Sequence, residues 1–163
     1  MLCIYGIPAR QAELDDRIAR ARAWLLQSHP KTTDDLAMLL AGLSWTGAPK
    51  TEIRSAAEAL IAQQRADGGW GGNPNLPSDA FATGEALYAL RESGELTAAD
   101  SVHQRSVQYL VRTQYPDGSW YVRSRAVKLQ PYFESGFPFG HDQWISAAAT
   151  AYASMALAAS LAH

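Results

Sequence analysis

The chain has 163 residues, 47% of them apolar and 18% charged, with a net charge of −2; that is material for one domain with a well-filled core. The absence of a basic block argues against a nucleic-acid partner, and no apolar run approaches the ~20 residues that cross a bilayer. Cys3 is the only cysteine, so neither an internal disulfide nor a cysteine-based zinc site is available. These bounds leave the compartment open: a soluble protein, cytoplasmic or periplasmic, with a membrane-peripheral position also compatible.

Residues 1–10 read as an N-terminal tail ending at Pro8, too short and uncharged at its start for a signal peptide and compatible with the stump of a longer chain. Residues 11–163 read as one helical domain. Leu14, Ile18, Ala21 and Leu25 repeat at helical spacing over 11–27, and His29-Pro30 ends that helix. Thr33 is placed to cap a second helix, with Asp34 and Asp35 in its first turn and Leu36, Leu39, Leu40 and Leu43 as its buried stripe. Gly47 and Pro49 stop it. A third helix starts at Thr51 and carries Ile53, Ala56, Ala57, Leu60 and Ile61. After the Asp67-Gly68-Gly69 turn, Ser78 is placed to cap a fourth over 79–92, whose Ala82, Ala86, Ala89 and Leu90 suit close packing.

A fifth helix over 98–113 carries Val102, Val107, Tyr109 and Leu110. The stretch 121–141 lacks a helical pattern, and its first six residues alternate in a way that permits a short strand. A loop of this length in a compact domain points to function. The last helix, over 142–161, is rich in alanine and carries Trp144, Ile145, Tyr152, Met155 and Leu157, so most of its surface is expected to be covered. The six helices pair into three hairpins, whose second members align: Thr83-Gly84-Glu85-Ala86 falls on Thr150-Ala151-Tyr152-Ala153.

Two stretches punctuate this repeat. Gln64, Asp67-Gly68 and Trp70 recur fifty residues later as Gln114, Asp117-Gly118 and Trp120, whereas the first hairpin has His29 in the glutamine's place. These Gln-x-x-Asp-Gly-x-Trp elements resemble the QW repeats of squalene and triterpene cyclases, within the wider prenyltransferase and squalene-oxidase repeat group. Phe133-Glu134-Ser135-Gly136-Phe137-Pro138 and His141-Asp142-Gln143-Trp144 resemble the C-terminal repeat of bacterial squalene-cyclase-like domains. The resemblance implies an α/α toroid whose inner helices, here the second, fourth and sixth, line a cavity for an isoprenoid. It also implies structural roles for Gln64, Asp67, Trp70, Gln114, Asp117 and Trp120. A complete ring of that kind has about twice as many hairpins, so closure is expected through a homodimer or a missing partner domain.

The resemblance also implies chemistry. Its members that protonate an alkene or epoxide use an Asp-x-Asp-Asp string at the start of an inner helix, in a dry pocket that holds the acid's proton. The matching string here is Thr32-Thr33-Asp34-Asp35, which assigns proton donation to Asp34 with Asp35 beside it and leaves Thr32 where the leading aspartate would stand. Asp79 and Asp142 also start inner helices, so four carboxylates are expected at one rim, and His141 and Glu134 join them as a second candidate centre. Helix capping accounts for the same acids more plainly. Arg123, Arg125 and Lys128 are candidates for holding a diphosphate or carboxylate head, against the plainer reading of a solvated loop face. Trp45, Phe81, Tyr88, Trp144 and Tyr152 are candidates for lining an apolar ligand or stabilising a cation, or simply for filling the core.

With no second cysteine and no metal spacing among His29, His103, His141 and His163, no metal or cofactor is expected. The functional expectation is an isoprenoid-binding, terpene-cyclase-like domain that protonates its ligand. Its alternative is a non-catalytic α/α repeat module serving interaction or assembly.

Overall fold

A computed structural model describes residues 8–127 and 133–161, which are all-α; Cys3, Lys128 and His163 lie outside them. After a short 3-10 turn, Pro8–Arg10, come α1 (Gln11–Leu26), α2 (Thr33–Trp45), α3 (Lys50–Ile61), α4 (Ala80–Glu92) and α5 (Ser101–Thr113). A second 3-10 turn, Gly140–Asp142, leads into α6 (Gln143–Leu161). Three hairpins result, forming an α/α arc. Its inner row is α2, α4 and α6 with α4 in the middle; α3 backs α2, α5 backs α4, and α1 lies against α2.

The helix starts differ from expectation in instructive ways. Thr32, not Thr33, caps α2: its hydroxyl accepts from the Asp35 N–H, and the Asp35 carboxylate accepts from the Thr32 N–H in return. That releases Thr33 to go inward, where its hydroxyl donates to Gly71 O at 2.7 Å. Pro49 rather than Thr51 precedes α3, since proline fits a helix start without needing a donor. Asp79 rather than Ser78 caps α4, accepting from the Ala82 N–H at 2.9 Å. No strand forms among the described residues. The 121–125 segment is extended, but its Val122 pairs with a side chain, the Ser146 hydroxyl, instead of a second strand.

The core runs between the two layers through Leu40, Leu60, Leu87, Leu90 and Leu110 and is closed by Trp70 and Trp120, all essentially inaccessible to water. Small residues set the spacing of the inner row. A Cβ added at Gly84 would stand 2.6 Å from the backbone nitrogen of Ala153, so α4 and α6 meet backbone to backbone. Coverage of α6 is one-sided: Ala149, Ala153 and Ala156 are buried, whereas Trp144, Ala151 and Met155 are exposed. Most of the last helix is thus covered, as expected, and one stripe stays open where no further inner helix flanks it within the described residues.

Gly84→Ala tests this packing. Alanine favours helix by about 1 kcal/mol over glycine, yet the overpacking is expected to win and leave a net loss of about 1–2 kcal/mol in urea denaturation. A Gly84→Ala protein as stable as the wild type would contradict the close approach.

Candidate functional site

The two repeated elements make the same clamp. The Trp70 indole N–H donates to Leu60 O at 2.8 Å, satisfying a carbonyl at the end of α3, while its backbone N–H donates to the Thr83 hydroxyl on α4 at 2.9 Å. Trp120 repeats this with Leu110 O at 2.8 Å and the Thr150 hydroxyl at 3.0 Å. Asp67 and Asp117 each close their turn by accepting from the N–H two residues on, both at 3.0 Å. Gln64 and Gln114 each donate to the carbonyl of their turn glycine. Among the described residues, Gln64 alone continues outward, to Val102 O and the Ser106 hydroxyl of α5, both at 2.9 Å. The Thr83–Thr150 equivalence also shows that Asp79 and Asp142 are not equivalent. Asp79 matches Ser146, because α6 begins about one turn earlier than α4.

Those two aspartates hold the 121–127 segment across the helix starts. Asp142 accepts from the Tyr121 hydroxyl and the Ser124 N–H, both at 2.9 Å. Asp79 pairs with Arg125 at 3.0 Å. Arg125 is thus engaged by a carboxylate, and with Arg123, Trp144, Ile145 and Ala148 it lines a hollow of about 430 Å³. His141 sits in the 3-10 turn before α6. Glu134 accepts from the Gly136 N–H at 3.0 Å within its own loop, and the Trp144 indole N–H donates to Phe133 O. Trp45 is exposed at the opposite end of α2 from Asp34. Asp35, taken up by the capping box and by the Lys31 N–H, is held below the usual carboxylate range by those donors.

What gathers on the inner row is a different set. Phe81, Glu85 and Tyr88 stand on one face of α4 at spacings of four and three. The α4 helix is enclosed on its other sides, so this line is its outlook from the arc. Phe81 and Tyr152 of α6 meet edge to face, ring centroids 5.4 Å apart. Asp34 approaches from the first turn of α2, near enough for its carboxyl to raise the Glu85 pKa.

Glu85 is 2% exposed, and its Oε2 finds no hydrogen-bond partner. Burial, then the neighbouring Asp34 carboxyl, then the charge of Asp79 push its pKa up to about 9. At neutral pH Glu85 is therefore a neutral acid, able to donate to Asp34. The Tyr152 phenol is raised as well, by burial first and then by the Glu85 and Asp34 carboxyls. Sequence reading misses Glu85 as a site residue. The available signal is a lone carboxylate in mid-helix among small and apolar residues, with aromatics four before and three after.

No family model matches the chain. Curated relatives match about half of it. It is 40% identical over 82 residues to a drimenyl diphosphate synthase of Streptantibioticus cattleyicolor, covering 50% of this chain and 14% of that protein. A second drimenyl diphosphate synthase, from Streptomyces showdoensis, is 35% identical over 98 residues, 58% of this chain and 18% of its own length. Squalene–hopene cyclase of Bradyrhizobium diazoefficiens is 36% identical over 97 residues, 53% of this chain and 13% of its own. The matched stretch thus spans less than a fifth of each relative, and over it the chain is terpene-cyclase-like.

The raised Glu85 pKa has a stability consequence. Between the ordinary value of 4.5 and about 9, the unfolded chain releases this proton and the folded one keeps it. Glu85 therefore makes stability fall as pH rises through that window. Glu85→Gln keeps the shape and a donor toward Asp34 without the proton. Its melting temperature should match the wild type near pH 4.5 and exceed it progressively up to pH 9. Parallel melting curves across that range would show Glu85 ionised in the fold.

Proposed function

We propose that the chain supplies part of the inner wall of a terpene-cyclase-type ring, binds an isoprenoid there, and cyclises it by protonation at Asp34. The observation that carries this reading is Glu85, 2% exposed on the α4 face of Phe81 and Tyr88, its Oε2 without a partner, with Phe81 and Tyr152 edge to face beside it and Asp34 near enough to raise its pKa. The likeness to cyclases over half the chain supports it.

An alkene is a weak base, so protonating it requires an acid whose conjugate base is stabilised as it forms. Asp34, exposed on the wall, is the member that can touch a ligand; Glu85 behind it is a positioning residue. When Asp34 in its acid form gives its proton to an alkene carbon, the new C–H bond takes the π electrons and the O–H pair stays on Asp34. The Glu85 O–H is placed to donate to that new carboxylate. The cation left on the neighbouring carbon then faces aromatic rings, whose π faces stabilise positive charge without quenching it. Ring closure consumes a second alkene of the ligand, and loss of a proton or capture of water ends the reaction.

The non-catalytic module keeps one observation in its favour: Thr32, where the resemblance implies a leading aspartate, is a helix cap. Incubation with squalene and with prenyl diphosphates, read by gas chromatography with mass spectrometry, separates the two. The proposal expects cyclised product from the wild type, a loss of at least about 100-fold in Asp34→Asn, as for removal of a general acid, and a smaller loss in Glu85→Gln. Wild-type levels in Asp34→Asn would remove Asp34 as the acid. Ligand binding without product in any variant would favour the module.

A further inference from the structure

Helix α6 packs along α4 and scarcely touches α5. From Gln143 to Leu161 it carries no Asp, Glu, Lys, Arg or His. Two long side chains reach its last turn from the neighbouring helices. From α5, the His103 ring bonds the Ser160 hydroxyl, with Nε2 and Oγ 2.8 Å apart. From the end of α4, the Arg91 guanidinium donates to Ala159 O and to Leu96 O, both at 3.0 Å, so it also ties in the connection between α4 and α5. Neither side chain belongs to the Asp34–Glu85 wall.

The state of His103 follows from its partner. The Ser160 hydroxyl donates its one proton to Ala156 O at 2.8 Å, so toward the ring it can only accept. Nε2 therefore carries the hydrogen of a neutral imidazole, and Nδ1 is bare. His103 is 5% exposed, and among the described residues neither its Nδ1 nor the Nε of Arg91 has a hydrogen-bond partner. A proton added at Nδ1 makes a buried N–H without an acceptor, on a cation that faces a guanidinium. Of the charged groups around the ring, α4 presents Arg91, the start of α5 presents Asp100, and α6 presents none. Asp100 is taken up by Thr97, accepting from its N–H at 2.7 Å and its hydroxyl at 2.6 Å. Glu95 turns away to Arg54 of α3 at 3.5 Å, and Arg105 of α5 turns away to Gln64. Burial first, and then the Arg91 charge, lower the His103 pKa, with Asp100 opposing them.

We infer that His103 is an acid-sensitive latch: when neutral it holds the last turn of α6 to α5, and when protonated at Nδ1 it lets that turn go. Opening the turn gives both ring N–H groups access to water and moves the new charge away from Arg91. The open turn takes up a proton near the ordinary value of 6.5, whereas the closed latch resists it. The closed form is therefore at full strength above that value and weakens as pH falls below it. Glu85 acts with the opposite sign, adding stability as pH falls, so the latch shows in the local opening of α6 and not in the melting temperature of the whole chain. The latch works whether or not Asp34 protonates a ligand.

Hydrogen–deuterium exchange with mass spectrometry reads the opening of residues 154–161 in the intact chain at about pH 7.5 and about pH 5, each rate taken relative to the unfolded chain at the same pH. The wild type is expected to lose about tenfold in protection there at the lower pH, the equivalent of one unit of pKa difference between open and closed forms, while α2 and α3 keep theirs. His103→Gln keeps an N–H donor for Ser160 and takes up no proton, so its protection is expected to be equal at both values. If that variant is open at both, the wild-type imidazole resonances decide: His103 is expected to titrate below 6.5, in step with the loss of protection. Equal wild-type protection at the two values would overturn the latch. So would a His103→Gln protein that loses as much as the wild type, or a His103 ring that titrates at or above 6.5 while the turn stays closed.

Discussion

The tryptophan clamp sets the geometry on which everything else depends. Each of Trp70 and Trp120 ties the last carbonyls of an outer helix to a threonine hydroxyl on the next inner helix, with matching distances in both repeats. The indole bonds of both repeats and the Trp70–Thr83 bond are buried, so leaving one of their partners unpaired would cost about 1–3 kcal/mol. The tie fixes the rotation of each inner helix as well as its position. With Thr83 and Thr150 turned back toward the clamp, the residue two positions on lies about 200° round the helix and faces the inner wall. Those residues are Glu85 and Tyr152. The structural motif and the candidate site are two faces of the same helices.

That relation explains what the sequence makes legible. Helix number, the hairpin pairing and the split into inner and outer members follow from apolar spacing, from Gly47 and Gly94, and from the repeated Asp-Gly turns. The threonine alignment is also visible there. Less legible is which acid does what, because aspartates at helix starts look alike in sequence. Asp35 and Asp79 cap, Asp142 holds a loop segment, and only Asp34 turns toward the wall and meets Glu85. Telling them apart requires knowing that α6 starts a turn early and that Thr32 takes the capping position. Glu85 is hidden for a different reason. Its neighbour in the site, Asp34, is 51 positions away in the chain, and nothing local announces that the two carboxyls meet.

A buried acid with an unsatisfied oxygen is a poor way to stabilise a helix row. A leucine at position 85 would fill the volume without that penalty. The surroundings nonetheless arrange for the acid to stay neutral: apolar burial, a second carboxyl beside it, and the Asp79 carboxylate, itself paired with Arg125. Carboxylic acids kept neutral in this way are placed to donate, and they concentrate at functional sites. The aromatics beside Glu85 extend that logic, since they offer a developing cation a surface that does not react with it.

The central claim is therefore the protonation state of one side chain. The infrared difference spectrum between wild type and Glu85→Gln at neutral pH measures it directly. A carbonyl stretch of a protonated carboxylic acid, lost in the variant and disappearing from the wild type only as pH passes about 9, is the predicted result. A carboxylate band assigned to Glu85 at neutral pH would contradict the account.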